Sequence, residues 1–307
     1  MRIAFFGTPE FAVPTLNAVA ARHDVVLVVA QPDRPAGRGL KLQKPPVAAR
    51  AIELGLPLVQ PLKIRTDEFL HEVEQARPDA GVVIAYGRIL PGRLLQIPKH
   101  GFLNVHASLL PKYRGAAPIQ RAIEAGETVT GATIMRVDEE LDHGPMLSVA
   151  TIEIAPGERL PSVSRRLADA GAEALVRTLD ALERGTAVET PQDHARATHA
   201  AKIEKDEGRI TFGEPARVIF DRFRAFDPWP GVFFETNGEA IRVTEMALAS
   251  SRRSHAPRTV VSIDQAVVVS TGEGQLRLEQ LQRPGKPRAA AGDVARGLGW
   301  SAGAAIP

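Results

Sequence analysis

Residues Ala80 to Ala85 read A-G-V-V-I-A, six residues with no polar alternation. A strand of this composition is buried on both faces, so the sheet that holds it must be covered by helices on either side. The N-terminus repeats the theme. Arg2–Phe6 and Val25–Ala30 are short apolar runs, and Thr8-Pro9-Glu10 between them has the chemistry of a helix start. Thr8 suits the N-cap, Pro9 the first helical position and Glu10 the positive end of the dipole. A helix from Phe11 to Ala21 completes a β-α-β unit, which implies parallel strands and a right-handed crossover. The turn after the first strand offers Gly7 alone instead of G-x-G-x-x-G, so a nicotinamide cofactor loses its main support.

The α/β pattern continues to about residue 184. Helices are expected over Pro45–Leu54, Thr66–Ala76 with Thr66 as cap, Pro118–Ala125 and Leu160–Arg184. Strands are expected over Leu58–Gln60 and Gly101–His106, with a hairpin of Thr130–Val137 and Met146–Ile154. From Gly185 to Thr198 the periodicity fails, as in a linker. Beyond it a helix, Ala216–Ala225, precedes short strands between Gly231 and Leu281, the spacing of a small barrel or sandwich. The Ala- and Gly-rich tail, Ala289–Pro307, is expected to be helical near Asp293 and disordered beyond it. A length of 307 residues accommodates one large or two ordinary domains. No run approaches the roughly 18 apolar residues of a membrane helix, and the N-terminus lacks the pattern of a signal peptide. There is no cysteine, which excludes disulfides, thiolate nucleophiles and cysteine-bound metals. A cytoplasmic location fits these features.

The stretch Leu103–Gly115 reads L-N-V-H-A-S-L-L-P-K-Y-R-G. Period-two alternation points Asn104, His106 and Ser108 to one face. Asn can donate to an oxyanion, His can carry a proton near neutral pH, and Leu109-Leu110-Pro111 offers an apolar wall for a flat ligand. A capped strand end would explain any one of these residues; the whole run asks for chemistry. Earlier in the chain, Gln31–Lys44 carries Arg34, Arg38, Lys41 and Lys44 against one acid, Asp33. Its prolines and glycines keep it from being a helix or a central strand. It follows the second strand, at the edge where open α/β sheets bind ligands. Net charge is only +2, so this clustering, more than the total, suggests contact with a phosphate backbone. A merely solvated loop is the alternative.

At Asn104, His106 and Ser108-Leu109-Leu110-Pro111 the chain resembles the folate-dependent formyltransferases, which share an Asn-x-His strand end, a Ser-Leu-Leu-Pro segment and a downstream Asp. The stretches Phe6–Phe11, Gln31–Gly39, Leu109–Gln120, Lys202-Ile203, Gly208–Ile210 and Asp227–Gly231 narrow the resemblance to members that formylate methionine on charged initiator tRNA. The resemblance covers the chain nearly end to end. It implies an α/β fold: a Rossmann-like formyltransferase domain with a mostly parallel sheet over 1–187, a linker over 188–206, and a C-terminal OB-fold-like β-barrel over 207–307 that binds tRNA. The implied reaction moves a formyl group from 10-formyltetrahydrofolate, a cosubstrate, to the methionine amino group. Asn104, His106 and Asp142 match the family's catalytic positions. The resemblance makes Asn104 an oxyanion donor and His106 a second donor or the proton donor to the leaving folate nitrogen. It makes Asp142 the group that orients His106 and accepts amine protons. Ser108, Leu109, Leu110 and Pro111 correspond to folate contacts, with Ile84, Tyr86 and Gly87 as walls of the pterin slot. Arg34, Arg38, Lys41 and Lys44 would meet the tRNA acceptor arm, together with Lys202, Lys205 and Arg209. A cis bond before Pro111 belongs to the same resemblance. A monomer without metal is expected.

The residues by themselves leave alternatives. Asp142 lies among Asp138, Glu139 and Glu140, a setting in which most carboxylates are simply solvated. His143 beside His106 suggests a metal, but there is no His-x-x-x-His pair. Formyl transfer to a small amine, such as glycinamide ribonucleotide or an amino sugar, fits the central motif. The extra C-terminal domain and Arg-rich loop disfavour the first, and the lack of an appended dehydrogenase domain weakens the second. A formyltetrahydrofolate hydrolase calls for an N-terminal regulatory domain, whereas the first strand here begins at residue 2. A dinucleotide-dependent oxidoreductase lacks its glycines. A non-enzymatic RNA-binding protein leaves Asn104, His106 and Asp142 without a role.

Overall fold

The computed structural model describes residues 1–36, 41–250 and 255–306. Packing divides them into two units. The first comprises Met1–Pro118, Val129–Glu153 and Ser164–Ala200; the second comprises Ile119–Thr128, Ile154–Val163 and the chain from Ala201 onward.

Along the chain lie β1 (Arg2–Gly7), α1 (Val13–Ala20), β2 (Asp24–Val29), β3 (Arg34–Ala36), β4 (Lys41–Gln43), α2 (Pro46–Glu53) and β5 (Leu58–Val59). Then come α3 (Asp67–Ala76), β6 (Ala80–Ile84), α4 (Gly92–Leu95), β7 (Phe102–His106), β8 (Arg114–Gly115), α5 (Pro118–Glu124), β9 (Val129–Arg136), β10 (Met146–Glu153), α6 (Leu160–Glu183) and β11 (His199–Ala200). The sheet order in the first unit is β10-β9-β7-β6-β1-β2-β5. Pairing is parallel from β7 through β5 and antiparallel at β7-β9 and β9-β10. One face is sealed by Phe6, Tyr86 and Phe102 against Phe69, Leu70 and Val73 of α3. Phe6 meets Tyr86 and Phe102 edge-on, with centroids 5.5 and 5.2 Å away. Each large apolar side chain withdrawn from water here contributes roughly 1.5–3 kcal/mol. The opposite face receives α6. Gly171 permits this approach, since a Cβ there would lie 2.7 Å from Val105 Cγ1.

The second unit adds α7 (Ala216–Ala225), β12 (Val232–Thr236), β13 (Glu239–Ser250), β14 (Val260–Ile263), β15 (Val267–Ser270), β16 (Gln275–Gln282), β17 (Ala289–Ala290) and α8 (Ala291–Gly297). Its sheet runs β12-β13-β16-β15-β14, antiparallel at every step, with β17 also on β16. This is the expected small β domain, and three register shifts in the β13–β16 ladder coil it.

Three local expectations change. Thr8 does not cap a helix: its hydroxyl donates to the Tyr86 carbonyl at 3.1 Å, and the chain enters α1 through a 3-10 turn over Glu10–Ala12. The basic loop contains a two-stranded ladder of β3 and β4, apart from the main sheet. The tail beyond α8 is ordered through Ile306. Val260 N–H donates to Ala304 O and Ile306 N–H to Arg258 O, while Trp300 and Ile306 are buried. Two anchored apolar side chains outweigh the flexible composition between them.

Candidate active site

Alternation along β7 sends Asn104 and His106 to the same face as Phe102, at the C-terminal end of the strand. The antiparallel register sets Asn104 opposite Met135 and His106 opposite Thr133. After His106 the chain folds back on itself. Ser108 N–H donates to the His106 carbonyl at 3.0 Å, and Ser108 Oγ donates to the Lys112 carbonyl at 2.6 Å. Thr133 Oγ1 donates to the Ser108 carbonyl at 2.7 Å and accepts from Leu110 N–H at 3.2 Å. Leu110–Pro111 is cis. Tyr113, left-handed at φ 61, turns its carbonyl to His106 Nε2 at 2.8 Å. Because the strand stops at His106, the two-residue period does not carry on to Ser108, whose side chain is spent on holding this turn.

Asp142 arrives from the connection between β9 and β10, also left-handed at φ 50. Its Oδ2 accepts from Gly115 N–H at 2.8 Å and lies 3.5 Å from His106 Nδ1; its Oδ1 accepts from Asn104 Nδ2 at 3.4 Å. The side chains of His106 and Asp142 are 5% and 12% exposed, so their interaction is screened far less than in water. A carbonyl only accepts, so the Tyr113 contact assigns a hydrogen to Nε2 of His106. Nδ1 is then the nitrogen that can exchange a proton with Asp142. Amide, imidazole and carboxylate thus converge, the set that acyl transfer to an amine needs. His143 points elsewhere, with Nδ1 2.8 Å from Asp138 Oδ2 and its ring stacked on His194 at 4.1 Å. Among the described residues, the grouping of three potential metal ligands is His23, Asp180 and Glu183, away from this motif. Its carboxylates already meet the Arg22 guanidinium and the Met1 α-ammonium, both at 3.0 Å.

The remaining candidates fall in different settings. Ser108 and Leu110 are buried, and Leu109 and Pro111 half-buried. Ile84 is fully buried, and the Tyr86 ring lies in the core, where burial pushes its phenol pKa up. Tyr86 therefore faces any slot through its backbone alone. Its carbonyl already accepts from Thr8 Oγ1 and Gln31 Nε2, both at 3.1 Å. Gly87, at φ 82, borders open space. In the basic loop, Arg34 is exposed, and its Nη2 donates to Gln31 Oε1 at 3.4 Å. Lys44 pairs with Asp33 at 3.3 Å. A hydrogen bond from Gln60, ahead of the Lys44 charge, holds the Asp33 carboxyl below its usual range. Arg38 and the Lys41 side chain lie outside the described residues. In the second unit Lys202 and Lys205 are exposed, and Arg209 pairs with Glu235 at 2.9 Å.

Thr133 and Gln192 were passed over in the sequence. Thr133 had a signal: a polar side chain inside the apolar run of β9 must find partners. Gln192, in the aperiodic stretch before β11, is 5% exposed. Its amide reaches the Asp142 and Gly144 carbonyls at 2.9 and 2.8 Å, and nothing local announces it.

Residues 1–179 match the model of the formyl transferase family, and residues 202–299 match that of the formyl transferase C-terminal domain. The chain is 46% identical over 304 residues to a methionyl-tRNA formyltransferase of Thermus thermophilus, covering 99% of this chain and 98% of that one. It is 46% identical over 300 residues to the methionyl-tRNA formyltransferase of Acidobacterium capsulatum, covering 97% and 96%. The N-formyltransferase from Helicobacter canadensis, solved with folinic acid and dTDP-3-aminofucose, superposes with a TM-score of 0.68 at 16% identity, over 92% of this chain and 98% of that one. That likeness bears on the fold alone. With both domain models matched in order and near-complete alignment at 46% identity, the chain belongs to the formyl transferase family, among the methionyl-tRNA formyltransferases.

Proposed function

We propose that Asn104, His106 and Asp142 carry formyl transfer from 10-formyltetrahydrofolate to the methionine amino group of charged initiator tRNA. The observation that supports this most is the convergence of the Asn104 amide and the His106 imidazole on one Asp142 carboxylate. The amine attacks the formyl carbon and the carbonyl oxygen becomes an oxyanion, which the Asn104 amide stabilises by donation. The amine's proton passes to Asp142, directly or through water, and His106 returns one to the folate nitrogen as the carbon–nitrogen bond to it breaks. Since Nε2 is engaged with Tyr113, Nδ1 is the nitrogen suited to that traffic. The cosubstrate's pterin takes the space bordered by Gly87 and the backbone of 84–86, against Ser108, Leu109, Leu110 and Pro111. Folate binding and chemistry belong to residues 1–187. The segment 188–206 and the 207–307 domain serve the acceptor arm through Lys202, Lys205 and Arg209, with Arg34, Arg38, Lys41 and Lys44 from the loop. The enzyme acts as a cytoplasmic monomer. No helix among the described residues is long and apolar enough to cross a membrane.

Labelled 10-formyltetrahydrofolate offered with methionyl-tRNA, glycinamide ribonucleotide or water tests this directly. Label should move to methionyl-tRNA alone. Asn104→Ala should lower turnover about 100- to 1000-fold, the loss typical of a missing oxyanion donor, with an unchanged melting temperature. Near-normal turnover would remove Asn104 from the reaction.

A further inference from the structure

The connection that carries Asp142 has an unusual demand placed on it. Asp142 holds a left-handed backbone without being glycine, which is unfavourable for an L-residue. Two positions later the chain passes so close to β9 that a Cβ on Gly144 would lie 2.1 Å from the Arg136 carbonyl oxygen. The carbonyls of both residues point to the same buried side chain. Gln192 Nε2 donates to Asp142 O at 2.9 Å and to Gly144 O at 2.8 Å. On the other side of that amide, Gln192 Oε1 accepts from Arg114 Nη2 at 2.6 Å and from Nε at 3.2 Å. The amide's orientation is unambiguous: carbonyls can only accept and a guanidinium can only donate. Every hydrogen-bonding site of the amide is filled.

These contacts close a ring. Arg114 is followed in the chain by Gly115, whose N–H donates to the Asp142 carboxylate at 2.8 Å. Asp142 is therefore gripped at both ends, its carboxylate by the Gly115 backbone and its carbonyl by Gln192, with Arg114 joining the two. The segment that carries Gln192 is itself tied down. Thr190 exchanges backbone bonds with Met146, Arg114 N–H donates to Thr198 O, and β11 pairs with β8. We propose that Gln192 is a positioning residue for the formyl transfer. It sets the Asp142 turn so that the carboxylate reaches Asn104 and His106, and it touches no substrate itself. This rests on the reading of Asp142 as the proton-accepting group.

Turnover and binding of Gln192→Ala, Asp142→Asn and the double variant test the proposal. Gln192→Ala should lose about 10- to 100-fold in kcat, the scale of a displacement near 1 Å at a reacting group. Its KM for methionyl-tRNA and its folate affinity should stay within about twofold, since the positioned group acts on the chemical step. In the Asp142→Asn background the same change should cost less than about twofold, because its effect runs through the group already disabled. Gln192→Glu keeps the Arg114 contact but faces two carbonyls with an acceptor, so it should match the Ala variant. It also serves where Ala does not fold. An active Gln192→Glu, a near-normal Gln192→Ala, or losses that multiply in the double variant would each overturn the proposal. Near-normal turnover of Asp142→Asn would instead sink the reading of Asp142 itself, and the positioning role with it.

Discussion

His23 is buried just before β2, with its Nε2 lacking a hydrogen-bond partner and 3.6 Å from Asp180 Oδ1. Burial, and after it the Met1 α-ammonium, lowers its pKa below the ordinary histidine value. A depressed folded value means that the unfolded chain takes up the proton first as pH falls. The stability held by neutral His23 is thus complete above about pH 6.5, the unfolded value, and drains away as pH drops toward the folded one. Melting temperatures should fall as pH drops below about 6.5, where the unfolded chain begins to take up the proton first. His23→Gln should flatten that slope; an equal slope in the variant would reject the assignment. The shared strand and face of Asn104 and His106 were legible in the sequence, because period-two alternation is a local property. The inward turn of the Tyr86 ring was not legible, because Ala85 is left-handed at φ 46 and strand alternation stops there. Gln192 was invisible because its role depends on two carbonyls some fifty positions away in the chain.

At the level of elements, α7 carries a buried ion pair in the second unit. Asp221 and Arg224 are 5% and 2% exposed in their side chains, and Asp221 Oδ1 accepts from Arg224 Nε and Nη2 at 3.1 and 2.5 Å. Arg217 Nε donates to the other carboxylate oxygen at 2.7 Å, and Arg224 Nη1 donates to Glu158 O at 3.0 Å. Withdrawing two charges from water is repaid only while both remain paired. Asp221→Ala should therefore destabilise the fold by about 3–5 kcal/mol, by stranding a buried guanidinium. Adding Arg224→Met should recover much of that loss, as chemical denaturation can check; a double variant no better than Asp221→Ala would refute the stranded-charge account. The helix itself was plain from its periodicity, with Ile219 and Phe223 inward. Its charged partnership was not, since Arg and Asp three apart read equally well as a solvated pair. The same limit hid the ordered tail, where Trp300 and Ile306 are anchors that composition averages away.

For the molecule as a whole, charge is nearly balanced, 38 basic against 36 acidic residues, so attraction to an anionic polymer must come from where the cations cluster. The family models cover both parts of the chain, yet packing places 119–128 and 154–163 with the C-terminal unit. No shift in composition marks those crossings, because burial partners lie far apart in sequence. The candidate tRNA contacts are likewise scattered along the chain, and three are already paired: Lys44 with Asp33, Lys202 with Glu204 and Arg209 with Glu235. A cation that must leave a carboxylate to meet a phosphate gains less than one that faces solvent. Raising salt should therefore raise the KM for methionyl-tRNA steeply, with folate affinity far less affected. Arg38→Ala should lower the slope of log KM against log salt by about one, the signature of one lost phosphate contact, while Arg209→Ala should lower it by less. Initial rates at several salt concentrations, with folate saturating, give both slopes. A wild-type slope in Arg38→Ala would leave the 31–44 loop without a phosphate contact there, and a larger loss in Arg209→Ala would move the tRNA footprint toward the C-terminal domain.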